Sequence, residues 1–451
     1  MNWKLAGKIG TILLLLVLLS IPMMRIRNLI GERQALRNGV VADIERSSGY
    51  AQAITGPIVV VPYTRTVREW QDTDTGRREV FRTVPGRLHL LPSDFSLDGN
   101  LTSSELSRGI YRARVFSAAT TLRAVFELPA YYGLPDQASD YKLSAPLLAV
   151  GITDIRGIGN GLSLVSGDQR VDFVPGTGTP LLTSGVHAPL MAGDVTQAQR
   201  FEVEIKLDLQ GTSSFSVTPV GRETRVALTS DWPHPSFIGE FLPREREVTS
   251  NGFAARWQTS FFATNLEGML EVCAGADGDS KKNCSGFEQR QFGVSFIDPV
   301  DQYAQSDRAT KYAFLFTGLA FASFFLCEVL RRKALHPVHY GLVGLSLAVF
   351  FLLLIALAEH TGFGLAYLLA AVVSVALNTY YLSQVLKSPS MGIAFGSAQA
   401  VMYGLLYGIL RSEDYALLMG SLLVFAVLGT VMVLTRHVNW GEFGGAKVTA
   451  E

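Results

Sequence analysis

The chain has 451 residues, 48% of them hydrophobic, and a mean hydropathy of +0.25, too apolar for an ordinary water-soluble protein. Its 39 Lys/Arg and 39 Asp/Glu are in turn too many charges for a chain buried wholly in lipid. Between Ile30 and Thr310 lie 27 Lys/Arg against 33 Asp/Glu, so the net charge of zero is a cancellation between an acidic middle and basic ends, and nucleic-acid binding is not suggested.

In chain order, the first apolar run extends from Ile9 to Met24, between Lys8 and Arg25. No small-x-small cleavage site follows it at Ser20-Ile21-Pro22-Met23-Met24-Arg25, so an uncleaved signal-anchor is expected rather than a removed signal peptide. Five more apolar runs crowd the C-terminal third, near Ala313–Leu330, Val338–Leu357, Gly362–Leu386, Met391–Leu410 and Tyr415–Leu434. Each run is about 16 to 25 residues, enough at about 1.5 Å per residue to approach or exceed a hydrocarbon core about 30 Å thick. The expected fold is a membrane protein with six transmembrane helices, one N-terminal and five C-terminal, and a large β-rich, sandwich-like domain inserted between the first two. The segments are residues 1–29, 30–310, 311–436 and a tail at 437–451.

Orientation follows from the short loops. With a cytoplasmic N-terminus, the inner side collects Lys4, Lys8, Arg331, Arg332, Lys333, Lys387, Arg436 and Lys447, while the short outer loops hold only Arg411. Both termini are then cytoplasmic and the large domain faces outward, into the periplasm of a bacterium. Cys273 and Cys284 flank a polar turn and are candidates to close a disulfide there, whereas Cys327 lies within an apolar run.

In the middle region, Phe201-Glu202-Val203-Glu204-Ile205-Lys206-Leu207-Asp208-Leu209 alternates apolar and charged residues, which predicts a half-buried antiparallel strand. Phe215–Val220 and Thr224–Thr229 read as the next two strands of a meander, with Pro219 placing the middle one at an edge or ending it early. Further strands are expected at 57–64, 79–91, 113–128 and 253–262, and a helix only at Glu32–Ser47. A Gly- and Pro-dense stretch at 151–190 suggests a division into two lobes.

Several patterns carry no chemistry on inspection. Arg156-Gly157-Ile158-Gly159-Asn160-Gly161 lacks the spacing of a phosphate-binding loop and reads as a tight turn. Asp72-Thr73-Asp74 and Asp277-Gly278-Asp279 lack the later acidic ligand of a calcium loop. His89, His187 and His234 are far apart, so no metal site or cofactor is expected, and no hydrolase elbow or Ser-x-x-Lys signature occurs. The candidate docking loop runs from Thr229 to Pro243 and includes Trp232, His234 and Phe237, with packing into the domain as the alternative. Gly392, Gly396, Ala400, Gly404 and Gly408 recur every four residues, as do Gly362, Ala366, Ala370, Ser374 and Asn378, a spacing that lets helices pack closely in lipid. No charge sits mid-span; Asp301, Asp307, Arg308, Glu359 and His360 form a candidate membrane-interface site, where Asp307 can pair with Lys311 or reach Arg25 or Arg27.

A series of motifs runs along the chain: Gly56-Pro57-Ile58-Val59-Val60-Val61-Pro62, Asp154-Ile155-Arg156-Gly157-Ile158-Gly159, Trp232-Pro233-His234-Pro235-Ser236-Phe237, Asp301-Gln302-Tyr303 with Asp307-Arg308-Ala309-Thr310-Lys311-Tyr312, Leu335-His336-Pro337, Tyr340-Gly341-Leu342-Val343-Gly344-Leu345-Ser346 and Glu359-His360-Thr361-Gly362-Phe363. In these, and in their order, the chain resembles the CreD family of bacterial inner-membrane proteins. The resemblance implies a member of an envelope-stress regulon under a two-component system, affecting tolerance to colicins and β-lactams, with no accepted enzymatic activity and no catalytic residues to carry over. The Cys273–Cys284 segment is not a family hallmark. The expected partners are the lipid bilayer and an unidentified envelope protein, peptidoglycan or lipid; a homo-oligomer stays open. A transporter lined by Asn378, Gln384 or Gln399, and a membrane enzyme using Glu359, His360, Glu413, Asp414, Asp301 or Asp307, are the competing readings.

Overall fold

The computed structural model describes residues 3–73, 76–134, 140–159, 162–166, 169–190, 193–274, 290–296, 302–331, 335–411 and 416–436. They form two compact units, one of residues 1–38 with 300–451 and one of residues 39–299.

The chain starts with a 46-residue helix, α1 (Trp3–Ser48), about 69 Å long at 1.5 Å per residue and with Pro22 inside it. Next come β1 (Gln52–Thr73), β2 (Gly76–Leu90), β3 (Asp94–Arg108), β4 (Tyr111–Leu128), β5 (Tyr141–Leu143) and β6 (Leu147–Ile152). Short strands follow: β7 (Ser163–Ser166), β8 (Gln169–Val171), β9 (Val174–Pro175) and β10 (Gly185–Pro189). Then come β11 (Gln199–Thr212), β12 (Ser214–Thr218), β13 (Glu223–Ser230), β14 (Pro235–Gly239), β15 (Glu245–Thr249) and β16 (Gly252–Ser260). The domain ends with helices α2 (Phe261–Thr264) and α3 (Leu266–Ala274) and strand β17 (Phe292–Phe296). The C-terminal helices are α4 (Gln302–Arg331), α5 (Pro337–Thr361), α6 (Phe363–Val385), α7 (Pro389–Arg411) and α8 (Ala416–Thr435).

Residues 39–299 carry two sheets. One has nine strands, in the order β14-β17-β12-β1-β6-β10-β9 with β2 and β5 also on β1; the other has eight, β15-β16-β13-β3-β4-β11-β7-β8. Alternation in β11 builds the second sheet: Val203, Ile205, Leu207 and Leu209 are buried while Glu202, Lys206 and Asp208 point away from the core. Each such burial stabilises by about 1.5 to 3 kcal/mol. Ile54, Val59 and Phe215 from one sheet and Phe95, Leu122 and Ile205 from the other belong to a single hydrophobic cluster. The stretch 151–190, where the sequence suggests a division into lobes, supplies β9 and β10 to one sheet and β7 and β8 to the other, and the cluster runs across it.

The expected meander is not formed. β11 and β13 lie in the eight-stranded sheet, but β12 between them lies in the other, because the chain turns at Ser213 (φ 64°) and leaves one sheet for its neighbour. β12 stops before Pro219 as expected, yet it is flanked by β1 and β17 rather than at an edge. The sheets are not purely antiparallel either: β12 runs parallel to β1 and β13 parallel to β3, and β12 is buried on both faces. Nor is the helix after the first apolar run the only one outside the apolar segments: α3 places Leu266 and Leu270 one turn apart against the domain core.

Among the described residues, four helical stretches are long and apolar enough to cross a membrane, namely Gly10–Ser48 within α1, Pro337–Thr361, Phe363–Val385 and Pro389–Arg411, and Leu418–Thr430 is a shorter apolar helix. Side chains of α1 enter the bundle core, where Leu19 packs with Phe321, Phe324, Tyr340, Val343 and Phe395.

Candidate functional site

The bundle brings ionisable side chains together at both ends of α4. At one end, Lys8 of α1 forms an ion pair with Glu328, which is 6% exposed. The same carboxylate accepts from the Tyr340 hydroxyl at 2.8 Å and the Leu335 main-chain N–H at 3.2 Å, and Lys8 Nζ also donates to the Leu335 carbonyl at 3.3 Å. A buried carboxylate persists when its oxygens are occupied in this way. About 30 Å away along the helix, by its rise per residue, Asp307 meets Arg27 at 3.4 Å and Lys311 at 2.8 Å, two of the three cations that the sequence offered it as alternatives. Glu359 meets Arg33 at 3.7 Å and accepts from the Tyr303 hydroxyl at 3.2 Å. His360 is exposed in the last turn of α5 and Arg308 lies on α4; Asp301, Glu413 and Asp414 lie outside the described residues.

Deeper in the bundle, polar side chains of three helices are hydrogen-bonded to one another. Ser346 Oγ donates to Asn378 Oδ1 at 2.8 Å, Asn378 Nδ2 to Gln399 Oε1 at 3.2 Å, and Gln399 Nε2 to Ser374 Oγ at 3.4 Å, with the Tyr403 hydroxyl 3.1 Å from Ser374. Asn378 and Gln399 are buried, while Gln384 is exposed. A groove of about 230 Å³ between α5 and α6 is lined by Leu342, Leu345, Val349 and Leu377, with Ser346 and Ser374 as its polar groups.

The four-residue stripes behave differently. Ala366, Ala370, Ser374 and Asn378 all lie on the buried side of α6. On α7 the approach is close at two positions: a Cβ would stand 2.0 Å from Ser383 Oγ at Gly392 and 1.9 Å from Thr379 Oγ1 at Gly396. Ala400 and Gly404 are exposed, and neither Gly404 nor Gly408 has a heavy atom within 4 Å of a Cβ site. A strict period of four advances about 40° per step on a 3.6-residue helix, so the stripe turns away from α6 after its first two members.

In the sheet domain, Trp232 Nε1 donates to the His234 carbonyl at 3.0 Å, and the Arg114 guanidinium lies 3.5 Å from its ring centre. Phe237 stands edge-on to Phe253 and Trp257 at 5.9 and 5.8 Å, and Trp232, Phe237 and Phe241 all pack against the core; His234 is exposed. The candidate disulfide lies partly outside the described residues, since Cys284 is not among them. The segment Asp154-Ile155-Arg156-Gly157 forms a single 3-10 turn capped by Asp154, with Arg156 held by its carboxylate and Gly157 buried. That contact holds the Asp154 carboxyl below its usual range. No group of three or more His, Cys, Asp or Glu suited to a metal ion occurs among the described residues.

Sequence reasoning missed the Lys8–Glu328–Tyr340 group and the Tyr303 contact to Glu359. A signal was present for the first: the loop charges place Lys8 and Glu328 at the same end of their helices, and each is an ionisable group bordering an apolar run.

These elements define a membrane protein with an N-terminal apolar helix, a large two-sheet domain after it and a C-terminal group of apolar helices. A sequence model of the family described as Inner membrane protein CreD matches residues 4–441, and Inner membrane protein CreD of Escherichia coli (strain K12) is 38% identical over 452 residues, covering 99% of this chain and 95% of that relative. The chain belongs to the CreD family of inner membrane proteins.

Proposed function

We propose that the chain crosses the inner membrane six times, through α1 and α4 to α8, with both termini in the cytoplasm and a β-sandwich in the periplasm. There it supports envelope integrity under stress, including tolerance to colicins and β-lactams, by binding or bracing envelope material rather than by catalysis or transport. The observation that carries the choice is the polar group of Ser346, Ser374, Asn378, Gln399 and Tyr403, whose side chains are hydrogen-bonded to one another. A solute pathway needs polar groups left open to water, and the ion-paired acids Asp307, Glu328 and Glu359 are likewise engaged. The sandwich reading rests on the single core shared by the two sheets. The basic short loops support the orientation.

The test combines orientation and function. With the three native cysteines replaced by serine, a membrane-impermeant maleimide should label Val248→Cys in spheroplasts and leave Lys387→Cys unlabelled until the membrane is opened; the reverse pattern overturns the topology. In a strain lacking the protein, an Asn378→Leu/Gln399→Leu variant that accumulates normally should restore colicin and β-lactam tolerance like wild type. Failure to do so would favour transport through the bundle.

A further inference from the structure

β1 and β2 stay paired from Val59↔Leu90 to Thr73↔Gly76. The other edge of β1 is covered by β6 only as far as Val60 and by β5 only at Tyr63, Thr64 and Arg65. Beyond that, among the described residues, no third strand joins the eight pairs from Thr66↔Thr83 to Thr73↔Gly76. At about 3.4 Å per residue this is an arm about 27 Å long. Two strands alone are marginally stable in water, so an arm of this kind is best explained by a surface that it meets.

Its side chains specify that surface. Trp70 is 66% exposed and Phe81 61%, and because opposed residues share a face, the pairs Arg68↔Phe81 and Trp70↔Glu79 set both rings on one side. The Arg68 guanidinium lies 5.7 Å from the Phe81 ring centre. The other side carries Val67, Val80 and Val84 with Arg65 and Arg82. Residues 65–87 hold six arginines against four acids, within a region where acids outnumber bases 33 to 27.

We propose that this arm binds the headgroup region of an anionic phospholipid bilayer. Tryptophan settles at the depth of lipid headgroups, where its ring is half in apolar surroundings and its N–H in water, and arginine forks match phosphate oxygens. A second copy of the arm fits less well, because Arg77, Arg78, Arg82 and Arg87 all lie on β2 and would stand against their own kind across a shared edge. An acidic protein surface would engage the arginines but gives no reason for two large rings held in water. The proposal extends the binding reading above, but its test reads lipid contact and not an envelope phenotype, so its failure leaves that reading standing.

The full-length protein, its three native cysteines replaced by serine, would carry an environment-sensitive fluorophore on Thr83→Cys, which shares the Trp70 and Phe81 face, or on Val248→Cys as a control. One copy per nanodisc, in discs of phosphatidylcholine with or without phosphatidylglycerol, would be mixed with vesicles of the same lipid. The expected result is blue-shifted emission and loss of iodide quenching at position 83 with phosphatidylglycerol, no change at 248, and reversal by salt or by Trp70→Ser/Phe81→Ser. Three results would overturn the proposal: equal quenching at 83 in both lipids, protection already present with phosphatidylcholine alone, or protection appearing only when two copies share a disc.

Discussion

The Asp154 carboxylate grips the Arg156 guanidinium at two points, Oδ1 to Nε at 2.9 Å and Oδ2 to Nη2 at 2.7 Å, and Arg156 Nη1 then donates to the Arg46 carbonyl at 3.2 Å. Arg46 is in the last turn of α1, where main-chain carbonyls lack an intrahelical partner. Gln52 completes the joint, donating to the Asp154 and Gln210 carbonyls at 3.1 and 3.0 Å. The end of α1 is thereby fastened to the sheet domain. Asp154→Ala should lower stability by about 1 to 3 kcal/mol, since it leaves the main-chain donors of Tyr50 and Arg156 without their acceptor. Arg156→Lys, which keeps the charge but loses the two-point grip, should cost less than Asp154→Ala. Thermal unfolding of the full chain in detergent would rank the two; equal stability of Asp154→Ala and wild type would refute the joint.

Close packing of α6 on α7 makes a position-specific prediction. Gly396→Ala places a methyl against Thr379 Oγ1 and should destabilise by about 1 to 3 kcal/mol, because the short, β-branched Thr379 side chain, whose hydroxyl donates to the Val375 carbonyl at 2.7 Å, must give way. Gly404→Ala meets nothing within 4 Å and should be neutral or raise stability by up to about 1 kcal/mol through helix propensity. Melting temperatures of the two variants in one detergent would separate them. Similar losses at both sites would mean that the whole stripe packs.

How far these features could be read from sequence depends on how local their causes are. The alternation of β11 is a property of nine consecutive residues and survives in the structure. Phe215 and Val217 of β12 are buried along with the polar Ser216 and Thr218 that alternate with them, so no burial alternation marked the strand's true neighbours, and its parallel partner Gln52–Thr55 lies more than 150 residues earlier. Arg156-Gly157-Ile158-Gly159-Asn160-Gly161 was legible as a tight turn, but the Asp154–Arg156 pair was not legible as a helix clamp, because Arg46 is 110 residues away. The aromatic loop at Trp232 was legible as either packing or docking, and Arg114, which faces its ring, gave no sign in sequence. The α7 stripe was legible as small residues; which of them meets α6 depended on helix phase.

His89 supplies a pH dependence. Its Nε2 lies 2.7 Å from Thr179 Oγ1, and burial together with the Arg87 charge lowers its pKa to about 4 from an ordinary 6.5. The folded state therefore disfavours the proton, and the neutral form contributes full stability above about pH 6.5. Between about 6.5 and 4 the unfolded chain binds a proton that the folded one does not, so stability falls as pH drops through this window, by roughly 3 kcal/mol in total. His89→Gln should flatten the slope of unfolding free energy against pH over that range. An unchanged slope would assign the acid sensitivity to other groups.

Lys8 and Glu328 sit 320 residues apart in sequence and join α1 to α4 beside Tyr340, which belongs to the apolar cluster of Leu19, Phe321, Phe324 and Val343. Because such a pair is costly to bury, its two members should fail separately and recover together. Lys8→Met leaves the Glu328 carboxylate with Tyr340 and the Leu335 N–H but no countercharge, and Glu328→Leu leaves an ammonium beside the Tyr340 ring, 5.9 Å from its centre. Each single change should destabilise by about 2 to 4 kcal/mol, whereas Lys8→Met/Glu328→Leu should lose less than either, falling short of the sum of the two by at least about 2 kcal/mol. Unfolding of the four chains in one detergent closes this double-mutant cycle. Additive losses would show that the two side chains act independently, and that α1 is held to α4 by apolar packing alone.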